Sequence, residues 1–172
     1  MNIKSKNKIG TTWLTGIALM GCAGFAFAQG TTLRANIVPE LTAFKVVSSN
    51  GAEKLTSADK IAPGDVIEYQ VRYANTGGKA ARQLQAILPI PASLQFVSGS
   101  AQPAGALASL DGKTYSAMPL KRSVKAADGS TKTVVIPTSE YRYLRWSIDN
   151  LDAGKAVKVE ARAQLANLKA AQ

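Results

Sequence analysis

The side chains that most often transfer protons, attack carbonyls or bind metals are scarce in this 172-residue chain, which has no histidine and a single cysteine, Cys22. Without histidine, neither a Ser-His-Asp nor a Cys-His centre can be assembled, and the commonest transition-metal ligand is missing. Weaker arrangements remain. Ser123-Val124-Lys125 would place a hydroxyl and an amine on one face of a strand, as a serine-lysine hydrolase needs, but a solvated basic hairpin accounts for the same residues more simply. Asp149-Asn150-Leu151-Asp152 gathers oxygen ligands but falls short of the about six to eight that calcium prefers. Asp and Asn so spaced ordinarily cap a turn. The eleven acidic residues include no pair marked out as the acid and base of a glycosidase. There is no phosphate-binding glycine loop, dinucleotide fingerprint or Gly-x-Ser-x-Gly. The expectation is a protein that is not an enzyme and uses no cofactor and no metal.

The charge carries more information. The chain has a net charge of +10, and Lys121, Arg122, Lys125 and Lys132 crowd its middle, while Arg142 and Arg145 interleave with Tyr141 and Tyr143. If the strand through Leu144 and Trp146 turns those two inward, Tyr141, Tyr143 and Arg145 emerge on its other face. Lys121, Arg122, Lys125, Tyr141, Tyr143 and Arg145 then make a candidate polyanion-binding surface, working through charge and stacking. The plainer reading is a soluble surface with cross-strand aromatic-cation pairs. No specific nucleic-acid partner is expected.

The elements that would position these residues are strands. Ile67, Tyr69, Val71 and Tyr73 alternate with Glu68, Gln70 and Arg72, and Val157, Val159, Ala161, Ala163 and Leu165 alternate with Lys158, Glu160, Arg162 and Gln164. Period-two patterning of this kind fits half-buried strands. Leu41–Ser48, Gln83–Leu88, Leu94–Ser98 and Lys132–Ile136 read as further strands. Pro63-Gly64-Asp65, Asn75-Thr76-Gly77-Gly78 and Ala153-Gly154 separate them with turn chemistry. Asp111-Gly112 and Asp128-Gly129 predict tight primed hairpin turns. Many short strands and frequent turns predict an all-β, immunoglobulin-like antiparallel β-sandwich.

Residues 1–28 have a basic start (Lys4, Lys6, Lys8), an apolar stretch from about Trp13 to Phe27, and the small-residue pattern Ala26-Phe27-Ala28. This is the layout of a secretory signal, with cleavage between Ala28 and Gln29. Thr15, Gly16, Gly21 and Gly24 interrupt the apolar stretch and make it a poor permanent span, so no transmembrane segment is expected in the mature chain. A lesser alternative is lipid anchoring, because Leu19-Met20-Gly21-Cys22 resembles a lipoprotein box in which Cys22 is lipidated, although Met20 departs from the small residue usual there. Cleavage at Ala28 leaves no cysteine for a disulfide, which a domain of this length can do without. The expected plan is a signal peptide at 1–28, a lead-in at 29–40, one sandwich at 41–166 and a polar tail at 167–172, located in the periplasm or outside the cell.

The order of motifs carries a resemblance. Ala62-Pro63-Gly64-Asp65-Val66-Ile67-Glu68-Tyr69, Tyr73-Ala74-Asn75-Thr76-Gly77 and Leu88-Pro89 through Leu94-Gln95-Phe96-Val97-Ser98-Gly99-Ser100 resemble the conserved-repeat family, domain of unknown function eleven. Leu144 to Ile148, Leu151 to Gly154 and Val157 to Val159 are similar to the end of the same unit. The resemblance spans roughly residues 42–165. It implies an immunoglobulin-like module of exported bacterial proteins, often arrayed as spacers or interaction modules. This chain departs from that pattern in having one copy and a longer middle, Gly105 to Tyr141. The expected role is a non-enzymatic structural or protein-interaction module of the bacterial cell envelope whose partner is an envelope protein. The alternative is a binding module for an acidic glycan, lipid headgroup or other polyanion.

Overall fold

Strand alternation becomes eleven β-strands in a computed structural model that describes residues 34–166. The signal segment, Cys22, the cleavage residues Ala26, Ala28 and Gln29, and the tail at 167–172 lie outside the described residues. In chain order the strands are β1 (Ile37–Ser49), β2 (Ala52–Ser57), β3 (Val66–Asn75), β4 (Ala81–Pro89), β5 (Leu94–Phe96), β6 (Leu107–Ser109), β7 (Ser116–Ala117), β8 (Lys121–Lys125), β9 (Thr131–Val135), β10 (Tyr143–Leu151) and β11 (Ala156–Leu165). One sheet has the order β2-β1-β3-β11-β5 and the facing sheet β4-β10-β6-β7, while β8 and β9 pair only with each other. Every pairing is antiparallel. The two larger sheets pack as an immunoglobulin-like β-sandwich.

The inward sets read from the sequence meet in this core. Ile67 and Val71 of β3, Val159, Ala161 and Ala163 of β11, and Leu144 and Trp146 of β10 are all buried. The Trp146 indole N–H donates to the Pro103 carbonyl at 2.7 Å, so the largest ring of the core leaves no polar atom unpaired. The presumed wet face of β3 is drier than alternation suggests. Glu68 is buried because Arg162, directly opposite it on β11, donates Nε–H to it at 3.0 Å. A second arm of Arg162 reaches Glu53 at 2.9 Å. A buried carboxylate is tolerable only with such a partner.

The turn motifs lock the two ends of β3. At one end Pro63 and Gly64 form the corner of a turn closed by the Asp65 N–H to the Ala62 carbonyl (3.0 Å), with Gly64 at a φ of 91°. Positive φ at the third residue of such a turn favours glycine. At the other end the buried Asn75 side chain accepts from the Asn36 and Gly77 amides and donates to the carbonyls of Lys79 and Leu151. One amide side chain thus ties together the start of β1, the β3–β4 link and the end of β10. Gly77 passes so close to residues 34–36 that a Cβ there would run into the Arg34 carbonyl oxygen.

Several expectations need correction. The lead-in drawn at 29–40 is too long, because β1 begins at Ile37 and pairs residue for residue with β3 from Asn75 downward. A whole strand, β2, is added by the Asn50-Gly51 hairpin, whose two residues both take positive φ (53° and 78°). The Asp-Gly turns are not primed: only Gly112 and Gly129 have positive φ, and their aspartates do not. A five-residue loop, Ala126 to Ser130, joins β8 to β9, consistent with a turn followed by a left-handed glycine.

Candidate functional site

The segment 121–135 becomes a hairpin because Val124, Thr131, Thr133, Val134 and Val135 favour extended backbone, while the loop satisfies itself. Asp128 accepts from the Ser130 hydroxyl (2.6 Å) and amide (2.9 Å), and these bonds hold its carboxyl below the usual aspartate value. At the base, the Ile136 N–H donates to the Leu120 carbonyl at 2.8 Å, and both side chains are buried in the core. Beyond that anchor all ten strand residues are exposed and bonded to neither sandwich sheet.

Register sorts the hairpin into two faces. Lys121 lies opposite Val135, Ser123 opposite Thr133 and Lys125 opposite Thr131, while Arg122 faces Val134 and Val124 faces Lys132. Arg122 is already committed, since its guanidinium forms a two-pronged ion pair with Glu140 at 2.8 and 3.2 Å. Lys121, Lys125 and Lys132 make no ion pair among the described residues. Between these cations Val124 and Val134 keep more than a third of their surface, and Val135 keeps 60%.

The six sequence-selected residues do not form one surface. Lys121, Arg122 and Lys125 are together on the hairpin. Tyr141 is in the core, 1% exposed, stacked on Phe96 with ring centroids 6.0 Å apart, its Oη accepting from the Leu120 amide at 2.8 Å. Its placement on the outer face with Tyr143 and Arg145 is therefore corrected. The physical reason is that Tyr141 closes a single turn of 3₁₀-helix, Thr138–Glu140, and stands outside β10, which begins only at Tyr143. Strand alternation therefore does not extend back to it. Tyr143 and Arg145 do lie on the face away from Leu144 and Trp146. The Tyr143 ring is half-buried beside Gly112, where an added Cβ would approach it to 3.0 Å. The Arg145 guanidinium rests 4.0 Å over the Tyr115 ring, a residue that sequence reasoning did not select and that no local spacing to Arg145 announces.

Ser123 and Lys125 share a face on the exposed hairpin. Asp149 and Asn150 belong to β10, and Asn150 Nδ2 donates to Asp152 at 2.8 Å beside the turn closed by the Lys155 N–H to the Asp152 carbonyl. No group of three or more His, Cys, Asp or Glu side chains gathers among the described residues.

A cavity missed by sequence reasoning opens at the foot of the hairpin. It has a volume of about 620 Å³, and its walls include Phe96, Met118, Pro119, Val135, Ile136 and Tyr141. The hairpin base supplies one wall and the core stack of Phe96 on Tyr141 another. Aliphatic and aromatic groups line most of it, as they do in sites that take an apolar group. Among the described residues no helix is long and apolar enough to cross a membrane. No protein-family model, curated protein or solved structure matches this chain.

Proposed function

We propose that the protein is a non-enzymatic interaction module exported to the bacterial cell envelope, and that it engages a protein partner through the β8–β9 hairpin. The observation that carries this reading is the hairpin itself: fifteen residues, Lys121 to Lys125 through Thr131 to Val135, stand outside both sheets with every strand residue exposed. Hydrophobic burial in the sandwich does not account for it, and unpaired strand edges are surfaces to which another chain can add. The signal-like layout of residues 1–28 and the resemblance of the Pro63-Gly64-Asp65 and Asn75-Thr76-Gly77 motifs to exported repeat modules support the envelope location.

The polyanion alternative loses one of its two rings, since Tyr141 is buried and only Tyr143, half-buried beside Gly112, stays on the outer face. What remains of it is mostly charge.

The test is a photo-crosslinking residue placed at Val134 on the hairpin or at Gln85, exposed on β4, in the exported protein in cells. A discrete adduct from Val134 that unlabelled protein competes away, with none from Gln85, is the expected result. Unlabelled protein in which Asn-Gly replaces residues 121–135, bridging the paired Leu120 and Ile136, should fail to compete it away. Identical adducts from both positions, or none from Val134, would overturn the reading.

A further inference from the structure

We infer that the partner segment is an extended, acidic polypeptide stretch that lays its carboxylates against Lys121 and Lys125 and seats one large apolar side chain in the cavity at the hairpin's foot. This rests on the interaction reading above and specifies its partner.

Three observations converge. One face of the hairpin presents Lys121 and Lys125, neither in an ion pair among the described residues, while Lys132 lies on the other face, and the hairpin's only aspartate, Asp128, is turned to its own loop by Ser130. The remaining cation, Arg122, is held by Glu140. The surface is therefore complementary to negative charge. Second, Val135 lies directly opposite Lys121 on that same face and keeps 60% of its surface exposed, so the face has an apolar contact that a purely ionic ligand does not use. Third, Val135 belongs both to the hairpin and to the cavity wall, which continues through Ile136, Pro119 and Met118. A chain running along the hairpin reaches the cavity without a break, and a pocket beside an open strand is how extended peptides gain side-chain specificity.

The absence of aromatic residues from 121–135 favours polypeptide over the other acidic polymers. Single-stranded nucleic acid is usually held by rings that stack on bases, and membrane-interface segments favour Trp and Tyr. The hairpin has only aliphatic and hydroxyl side chains between its charges, together with main-chain groups on its open edges, and these match another strand.

The experiment pans a phage-displayed library of random dodecapeptides on the full exported protein and measures selected peptides by fluorescence polarisation. Selected sequences are expected to carry Asp or Glu around a large apolar residue. Replacing Lys121 and Lys125 by Gln should weaken them at least tenfold, and raising salt should mimic that loss. Val135→Asp should also weaken them at least tenfold, and high salt should not mimic this loss. Thermal melts of both variants near that of the parent protein keep the comparison valid, since these are surface positions. The inference is overturned if no peptides are enriched over the variant with Asn-Gly in place of 121–135, if the selected peptides are not acidic, or if Val135→Asp binds as the parent does. Heparin or phosphatidylglycerol vesicles competing at matched charge with equal strength would likewise overturn it in favour of charge alone. If the unsubstituted protein enriches no acidic peptide but still gives the Val134 adduct, the acidic segment is rejected while the hairpin stands as an interface. If it gives neither, the interaction reading is rejected as well.

Discussion

Removing one oxygen atom from Tyr141 separates two accounts of the strand that follows it. Its hydroxyl accepts the Leu120 amide at 2.8 Å in the buried interior, and its ring stacks on Phe96 at an interplanar angle of 16°. Tyr141→Phe keeps the ring and strands a buried N–H, which costs about 1–3 kcal/mol. Tyr141→Ala also removes the ring and opens a cavity, for a total of about 3–5 kcal/mol. The difference, roughly 2 kcal/mol, is the share of the ring packing. Urea denaturation followed by tryptophan fluorescence and circular dichroism measures both variants, with an unchanged m-value as the check that the same transition is being compared. Because Leu120 leads directly into β8, the Phe variant should also speed amide exchange in Leu120 and the hairpin ahead of the sandwich strands. If Tyr141→Phe falls within about 0.5 kcal/mol of the parent and Tyr141→Ala loses under about 1 kcal/mol, the ring is outward and the reasoning fails.

Trp146→Ala should destabilise the fold by about 3–5 kcal/mol, because the indole is 2% exposed and hydrogen-bonded to Pro103; a loss below about 1 kcal/mol in the same denaturation assay would contradict the inward assignment of β10. Acid should destabilise the protein through Asp65, held low first by Lys45 and then by the Ala62 amide, and through Asp111, held low by the Thr114 and Lys113 amides and the Ser109 hydroxyl. Their native pKa values lie below the ordinary 3.8, so the stability they give is present above that value and is lost as pH falls through the native ones. Melting temperature measured against pH should drop in that window, and Asp111→Asn should make the drop shallower; an unchanged slope would show that the carboxylate contributes nothing. Exported protein should begin at Gln29 by intact mass spectrometry, whereas a diacylated Cys22 at the N-terminus would place it on a membrane surface.

The parts of this fold legible in sequence are those where one rule acts alone. In β3 and β11 every second residue is apolar over a long run, and the core formed by Ile67, Val71, Val159, Ala161 and Ala163 follows directly. Gly64 reads as a turn residue and is, and Asn75 reads as the point where β3 ends and is, but the tertiary work of the Asn75 side chain, bonded across 76 residues to Leu151, has no local signature. The start of β1 is obscure for a different reason. Leu41 is level with the buried Val71 and on the same sheet face, yet it is 54% exposed, so β1 lies where the facing sheet does not cover it and its pattern is diluted. The strand β2 has a local signal, Asn50-Gly51, that outweighs its polar composition. On the candidate site the basic cluster is legible as composition. The burial of Tyr141 is not, because Tyr141 closes the 3₁₀ turn and the phase shifts between it and the start of β10 at Tyr143.

That phase shift also explains why the hairpin can be both exposed and ordered. Fixing a residue's backbone costs roughly 1–2 kcal/mol, and an isolated two-stranded hairpin is marginally stable in water. Burial of the strand residues 121–125 and 131–135 offsets none of that cost, since each is exposed. The compensation sits at the base: Leu120 and Ile136 in the core, their mutual backbone bond, the Tyr141 hydroxyl on the Leu120 amide, and the Arg122–Glu140 pair tying β8 to the 3₁₀ turn. The residues that hold the hairpin therefore differ from those it displays. Lys125, Lys132, Val124 and Val134 can change with little effect on the sandwich, so their identity is free to answer to a partner, whereas Tyr141 answers to the fold.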